Sequence, residues 1–274
     1  MRTRLALPST TREMGRRLFA GDQPQDAIEN AAGKRDALAC EGALPPYGIP
    51  DASVYQAPAE ILLPTSRMRG GAHGYTAFFT ESFIDEIATK AGREPLSYRI
   101  GMLGGDPRMV ACLQRAARLS GWGGGRDGSG QGLACHRMGE AASGGRIACV
   151  AQAGQSEGGI RVTSLYAAVD IGRIVNLDIA RQQIEGGLVH GLALAMGSSA
   201  TWSNGRPDKR RLGQLQLPAL ADAPAVEVEF IASEEPAFDP GELGLTVAAP
   251  AIANALFSAT GLRLRRLPLL ADGL

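Results

Sequence analysis

A run of glycines, GWGGGRDGSGQG at residues 121–132, divides this sequence into two parts with different patterns. No apolar periodicity crosses it, and glycine at that density frees the backbone from any regular element. The pattern before it is helical. TAFFTESFIDEIATKAG (76–92) places Phe79, Phe83, Ile84 and Ile87 on one face and stops at Gly92. EPLSYRIGMLGG predicts a short helix with Pro95 in its first turn. DPRMVACLQRAARLSGW predicts another, with Asp106 as N-cap, Pro107 next to it and Gly121 beyond its end. Residues 1–50 have no regular period, GALPPYGIPD (42–51) reads as a linker or crossing segment, and extended structure is expected across ASVYQAPAEILLP. The pattern after the glycine run mixes strands and helices. RIACVAQA and IRVTSLYAAVD predict strands, DIARQQIEGGLVHGLALAMG a long helix, and AVEVEFIAS a strand. In that last strand Val226, Val228 and Phe230 alternate with Glu227 and Glu229, the mark of a sheet with one solvated face. The expectation is an α+β protein in two parts, residues 1–120 and 133–274, with 121–132 between them and helices packed on small mixed sheets.

Composition narrows the class. At 274 residues the chain can bury a substantial core, and its 28 basic residues balance 28 acidic ones. Zero net charge argues against a nucleic-acid binder. Cys40, Cys112, Cys135 and Cys149 form no CxxC pair, so no zinc or iron–sulfur site is expected within this chain; free thiols or one disulfide remain as readings. No apolar run is read as reaching membrane-spanning length, because LVHGLALAM is short and carries His190. MRTRLALPSTTREMGRRLFAG is basic but lacks a continuous apolar stretch and a cleavage site, so it does not read as a signal peptide. Met14, Leu18 and Phe19 make it weakly amphipathic, as a surface helix or a membrane-binding one.

Three stretches combine glycine with polar groups. In MRGGAHG (68–74), Arg69 and His73 flank small residues just before a helix, where backbone amides suit an anionic ligand; an ordinary turn is the other reading. In NLDIARQQIEGGLVHG (176–191), Gly186, Gly187 and Gly191 lie inside a helix, where each costs up to ~1 kcal/mol relative to alanine. Close approach of another backbone or of a ligand would explain them, and Gln183 one turn earlier suits a heterocycle edge. In DPGELGLTVAAPAIANALFSATG (239–261), Glu242 stands between Gly241 and Gly244, with Pro250 suited to a first helical turn and Gly261 to a C-terminal stop. Buried, that acid could serve as a general base; in solvent it would be an ordinary loop residue. Glu234, Glu235 and Asp170 are weaker candidates, and His136 beside Cys135 has no second ligand at a recognisable spacing. GxSxG, GxxxxGK[ST] and HExxH patterns are not present.

The strings VDIGRIVNLDIARQQIEGGLVHGLALAM and DPGELGLTVAAPAIANALFSATGLRLRRLPL, with RMRGGAHGYTAFFTESFIDEIATKAGREPLSYRIGML upstream, resemble the molybdopterin-binding large subunits of the xanthine oxidase and aldehyde oxidase family of molybdenum hydroxylases. The likeness is to the isoquinoline 1-oxidoreductase beta-subunit type, over about residues 10–274. It implies a two-part molybdenum-cofactor-binding domain, with 1–120 the end of a first subdomain and 133–274 a second. Family large subunits are much longer, so the chain reads as their C-terminal part: a split half of a catalytic subunit or, alternatively, a truncated or assembly fragment without bound cofactor. The resemblance assigns Glu242 to the active-site glutamate, Gln183 to a cofactor-contacting glutamine, Arg69 to a cofactor-lining arginine, and to Gly70 and Gly71 the backbone amides of that loop. Leu243 stands where the family commonly has proline. The implied cofactor is molybdenum–molybdopterin, shared with the N-terminal half of the subunit. The implied activity is oxidation of an aldehyde or N-heterocycle with water as oxygen source, electrons leaving through a small 2Fe-2S subunit. Localisation is not legible, since relatives are cytoplasmic or exported.

Overall fold

The computed structural model describes residues 1–156, 159–197, 199–215 and 217–269. In chain order the elements are β1 (Arg2–Leu7), α1 (Thr10–Gly15) running into a π-helical turn (Arg16–Ala20), α2 (Pro24–Ala31), β2 (Ser53–Pro58), α3 (His73–Lys90), α4 (Pro95–Met102) and α5 (Pro107–Leu119). They continue with β3 (Gln131–Met138), β4 (Gly145–Ser156), β5 (Gly159–Asp170), α6 (Leu177–Met196), β6 (Trp202–Ser203), β7 (Arg206–Pro207), β8 (Ala225–Phe230) and α7 (Leu243–Thr260). The mixed α+β class expected from the two patterns is the one observed.

The frame is a four-stranded sheet in the order β3-β4-β5-β8. The first three strands form an antiparallel meander, with a register shift between Gln152 and Ala153. β8 pairs parallel with β5, Leu165 opposite Val226, and α6 belongs to the crossover that this pairing requires. β3 and β4 are buried on both faces, which is why β4 reads as a continuous apolar run, whereas β8 keeps Glu227 on a solvated face as its alternation predicts. Ile147, Cys149 and Ala151 point into a core shared with α6 and α7, whereas Ala148 and Val150 point into a second core with Met109, Cys112, Leu113 and Ala116 of α5. Residues before and after the glycine run therefore share one hydrophobic cluster, and Gln131 and Gly132 already belong to β3.

α7 lies across β3 and β4 with almost every side chain buried. A Cβ at Gly132 would collide with the Ala251 carbonyl and the Ala255 amide, so glycine there lets the helix lie close on the strand. Asn254 Nδ2 donates to Leu133 O at 3.0 Å, and Ser258 Oγ donates to Gln131 O at 2.9 Å. The expectation that no segment is long and apolar enough to span a membrane needs correction. Among the described residues one helical stretch, Pro240–Thr260, qualifies by length and composition, but 83% of the qualifying window is buried inside the protein. A second correction concerns Pro250, which lies inside α7 rather than in its first turn, because the helix already begins at Leu243. Gly261 ends it at φ +75° as expected.

The first fifty residues are more regular than their pattern suggests. β1 pairs in parallel with β2, the extended segment anticipated after the Pro/Gly-rich stretch, and α1 and α2 lie between them in sequence. The N-terminal segment begins as a strand, and Leu18 and Phe19 of the π-helical turn are exposed. Asp106 caps α5 as predicted, accepting from Met109 N at 3.1 Å. α3 departs from expectation. Phe79 and Phe83 are 43% and 49% exposed, and Thr76, Thr80, Glu81 and Asp85 are buried alongside Ala77, Phe78, Ile84 and Ala88. Arg99 of α4 explains that inversion. Fully buried, it donates through Nε to Glu81 at 2.9 Å and lies 3.4 Å from Asp85, while Tyr47 Oη donates to Glu81 at 2.6 Å. Buried charges are tolerated only when paired and hydrogen-bonded, and this set is.

Candidate functional site

The loop at 239–242 is a single 3-10 turn. Asp239 caps it by accepting from Gly241 N at 2.8 Å, and Pro240 occupies its first position. Glu242 ends the turn, precedes α7 and is exposed. Its glycine neighbours serve a purpose other than the expected conformational freedom, since neither has positive φ. A Cβ on Gly244 would collide with Ile184 O of α6, so that glycine exists for helix crossing. The same crossing explains Gly187 and Gly191. A Cβ at Gly187 would sit 3.1 Å from Gly244 Cα, and one at Gly191 would sit 2.8 Å from Leu245 O. Two of the three helix glycines thus serve close backbone packing. Gly186 does not: a Cβ there would meet only Arg69 Nη1, at 3.9 Å.

Arg69 ties the parts together. It projects from a tight turn in which Gly70 (φ +85°) and Gly71 (φ +50°) take left-handed angles, a conformation that favours glycine. Its Nε donates to Gly241 O at 2.7 Å, and its Nη2 donates to Gln183 O at 2.9 Å and to Gln183 Oε1 at 3.3 Å. Residues separated by 114 and 172 positions in sequence thereby meet at one guanidinium. The three segments singled out in the sequence are brought together. The amide of Gly71, however, is already given to Met68 O at 2.8 Å, so that glycine contributes shape and not a free donor. The hydrogen-bond acceptors of Arg69 are all neutral, and among the described residues it forms no ion pair. His190 on α6 responds to this, its proton affinity lowered first by burial and then by Arg69.

A cavity of about 420 Å³ continues from this cluster, bounded by Arg69, Gly71 and Tyr75 on one side and Leu194, Leu245 and Ala249 on the other. A feature that sequence reasoning missed lies in the first turn of α3. His73 and His136 are in contact, Nδ1 to Nε2 at 2.8 Å, although 63 residues separate them. The sequence showed both histidines but had no signal pairing them. The weaker candidates are structural. Asp170 accepts from Arg108 Nε at 2.7 Å and from Gly172 N at 3.0 Å; burial is the largest influence and raises its proton affinity, but the Arg108 hydrogen bonds and charge and the Gly172 amide together hold the carboxyl below the usual range. Glu235 is exposed, and its carbonyl takes the amide of Arg173. The four cysteines are free, and burial pushes the Cys149 thiol up to about 12. Among the described residues no cluster of three or more His, Cys, Asp or Glu side chains could hold a metal ion by itself. What the site offers is an arginine with Nη1 turned to an open helix face at Gly186, and a glutamine amide beside it. That donor set suits the polar edge of an organic cofactor and not a bare ion.

Residues 133–224 match the molybdopterin cofactor-binding domain family. The chain is 32% identical over 220 residues to the membrane-bound aldehyde dehydrogenase [pyrroloquinoline-quinone] of Gluconacetobacter polyoxogenes, covering 73% of this chain and 28% of that protein. It is 28% identical over 204 residues to isoquinoline 1-oxidoreductase subunit beta of Brevundimonas diminuta, covering 74% and 26%. The chain thus spans about a quarter of the length of these relatives. Its fold matches that of the aldehyde oxidoreductase from Desulfovibrio gigas with a TM-score of 0.67, over 85% of this chain and 44% of that one, at 17% identity. Residues 133–224 thus match the molybdopterin cofactor-binding domain, and the chain resembles about a quarter of these oxidoreductase subunits while sharing the fold of the Desulfovibrio gigas enzyme.

Proposed function

We propose that this chain supplies part of the active site of a molybdenum hydroxylase, which oxidises an aldehyde or N-heteroaromatic carbon with water as the oxygen source. One observation carries the reading: Arg69 gathers Gln183 and the Gly241 carbonyl, and so fixes the turn that ends in Glu242. In this reading Arg69 Nη1 and the Gln183 amide hold the polar edge of a molybdenum–molybdopterin cofactor, and Gly186 and the Gly70–Gly71 turn leave room for it. The bound cofactor supplies a two-electron acceptor and a Lewis-acidic centre that makes a water-derived proton easier to remove. Glu242 is the base that takes that proton. Its place at the start of α7, a helix sealed against the sheet, gives the carboxylate a rigid mount.

Glu242 and Gln183 are exposed in this chain. A base working beside a metal needs water excluded around it, so we infer that polypeptide beyond these 274 residues closes the site. The parts 1–120 and 133–274 then correspond to two cofactor-binding subdomains whose cores are continuous across β4. Electrons leave through an iron–sulfur subunit in this proposal. The test is Glu242→Gln in the cofactor-loaded, assembled protein. Turnover is expected to fall by about 10²–10⁴-fold with molybdenum content unchanged. Turnover at the unmutated rate defeats the assignment. Absence of molybdenum from the purified assembly would instead favour a non-catalytic assembly role, the reading to which the open site also lends support.

A further inference from the structure

The glycine run that divides the sequence has no part in the proposed chemistry, yet it lines a second cavity of about 420 Å³. The other walls are the α3–α4 junction and the last turns of α7. Glu242 precedes α7, whereas Phe257 lies near its end, so this cavity is roughly 20 Å along the helix axis from the site described above. The run is folded back on its neighbours. Gly123 N donates to Gln131 Oε1 at 2.8 Å, and Gly128 N donates to Ser258 O. Between them Gly124 (φ +91°) and Gly125 (φ +58°) take left-handed angles, which favour glycine. A glycine has only backbone to present, so these two line the cavity with main-chain atoms. Neither of their amides has an acceptor among the described residues. A Cβ on Gly125 would lie 2.8 Å from Trp122 Cη2, which places the indole against this turn.

The charges around the cavity do not balance. Arg93, just after α3, and Arg126, within the run, both line it, are exposed, and form no ion pair among the described residues. The Arg126 side chain lies beside the open turn, its Nε 4.0 Å from where a Cβ on Gly124 would be. Two of the three carboxylates are already committed. Asp85 is paired with Arg263 at 2.7 Å and Arg99 at 3.4 Å. Glu94 accepts from Leu96 N at 2.8 Å, Ser97 N at 2.6 Å and Trp122 Nε1 at 2.8 Å. Asp127 alone is unpaired among the described residues. The carbonyls ending α3 are occupied too, since Ile87 O, Ala88 O and Thr89 O take the amides of Ala91, Arg93 and Gly92. Two cations and two unused amide donors therefore face one free carboxylate.

We propose that this cavity binds a phosphoryl group carried by a small organic molecule. The amides of Gly124 and Gly125 and the Arg126 guanidinium hold the phosphate oxygens, and Arg93 completes the charge. Guanidinium forks beside consecutive backbone amides are the donor set of a tetrahedral oxyanion, which uses more donors than a carboxylate does. The cavity is larger than a phosphate needs, and Phe257 and Pro95 on its wall give an organic body a surface to lie on. None of these residues belongs to the proposed molybdenum site, so the two readings stand or fall separately.

The test titrates the full chain with phenyl phosphate, inorganic phosphate and benzoate, followed by calorimetry. The chain has two tryptophans, so in a Trp202→Phe background Trp122 fluorescence reports binding at this turn. Phenyl phosphate is expected to bind saturably, more tightly than either other probe, and to change that fluorescence. Arg93→Gln and Arg126→Gln remove exposed, unpaired side chains, so each should leave the thermal midpoint in place and weaken phenyl phosphate about tenfold. Asp127→Asn should tighten it about threefold. The absence of saturable binding overturns the proposal, as does unchanged affinity in both arginine variants. Equal affinity for inorganic phosphate overturns the organic body, and equal affinity for benzoate overturns the choice of a phosphoryl group.

Discussion

α3 and α7 are each 18 residues long, and they use their faces in opposite ways. α7 is enclosed by the sheet and α6, and its interior is apolar apart from Thr246, Asn254 and Ser258, each of which has a hydrogen-bond partner. α3 turns Glu81, Asp85 and two threonines inward and leaves Phe79 and Phe83 facing a groove of about 610 Å³ shared with Met1, Ile49 and Tyr98. The difference shows what hydrophobic periodicity measures. It reports that a segment is helical, but which face is covered depends on what other chain segments offer. For α7 the offer is an apolar sheet, and for α3 it is a buried arginine.

The largest test of that contrast is Arg99→Met, which leaves the Glu81 carboxylate inside without its cation, while Asp85 keeps Arg263 at 2.7 Å. A loss of about 3–5 kcal/mol in urea unfolding is expected, partly recovered by adding Glu81→Leu. An effect under ~1 kcal/mol would mean that the inward face of α3 does not depend on that ion pair. Next comes the seam on α7. Gly244→Ala drives a methyl into the Ile184 carbonyl and should cost about 1–3 kcal/mol, read from the thermal midpoint. Acid provides a third test. The folded-state proton affinity of His136 lies near 3 against an ordinary 6.5, so between these values the unfolded chain holds the extra proton. Stability is therefore complete above pH 6.5 and falls as the pH drops toward 3, with a slope approaching ~1.4 kcal/mol per pH unit from this group. In His136→Phe the slope should flatten. The smallest effect belongs to Gly186→Ala, on the open face of α6. It should raise stability by up to ~1 kcal/mol, opposite in sign to Gly244→Ala, because the methyl meets only the end of the Arg69 side chain.

Much of the candidate site was legible because its segments carry local marks. Glycine pairs before or within helices, and an acid in a glycine-bearing turn, are visible in one dimension, and they draw attention to Arg69, Gln183 and Glu242. The roles of the glycines were less legible. The spacing flagged Gly186, Gly187 and Gly191 alike, yet only the crossing with α7 separates the two that pack from the one that stays open. Pro250 suggests a helix start because isolated helices tolerate proline there best. Packing on both the sheet and α6 allows the helix to continue through it. The His73–His136 pair had no mark at all, since neither residue has a suggestive neighbour in sequence.

Caps, stops and strand alternation belong to the sequence itself. Asp106 reaches an amide three residues on, Gly261 supplies its own left-handed angle, and Val226 and Val228 alternate with Glu227 and Glu229 whatever surrounds them. These are short-range effects, settled within a turn or two of backbone. Tertiary structure alone decided that Arg99 is buried, that α3 shows Phe79 and Phe83 outward, and that one guanidinium joins residues 69, 183 and 241. Each of those outcomes depends on desolvation and on partners more than ten residues away, and neither has any value until the chain has closed around them.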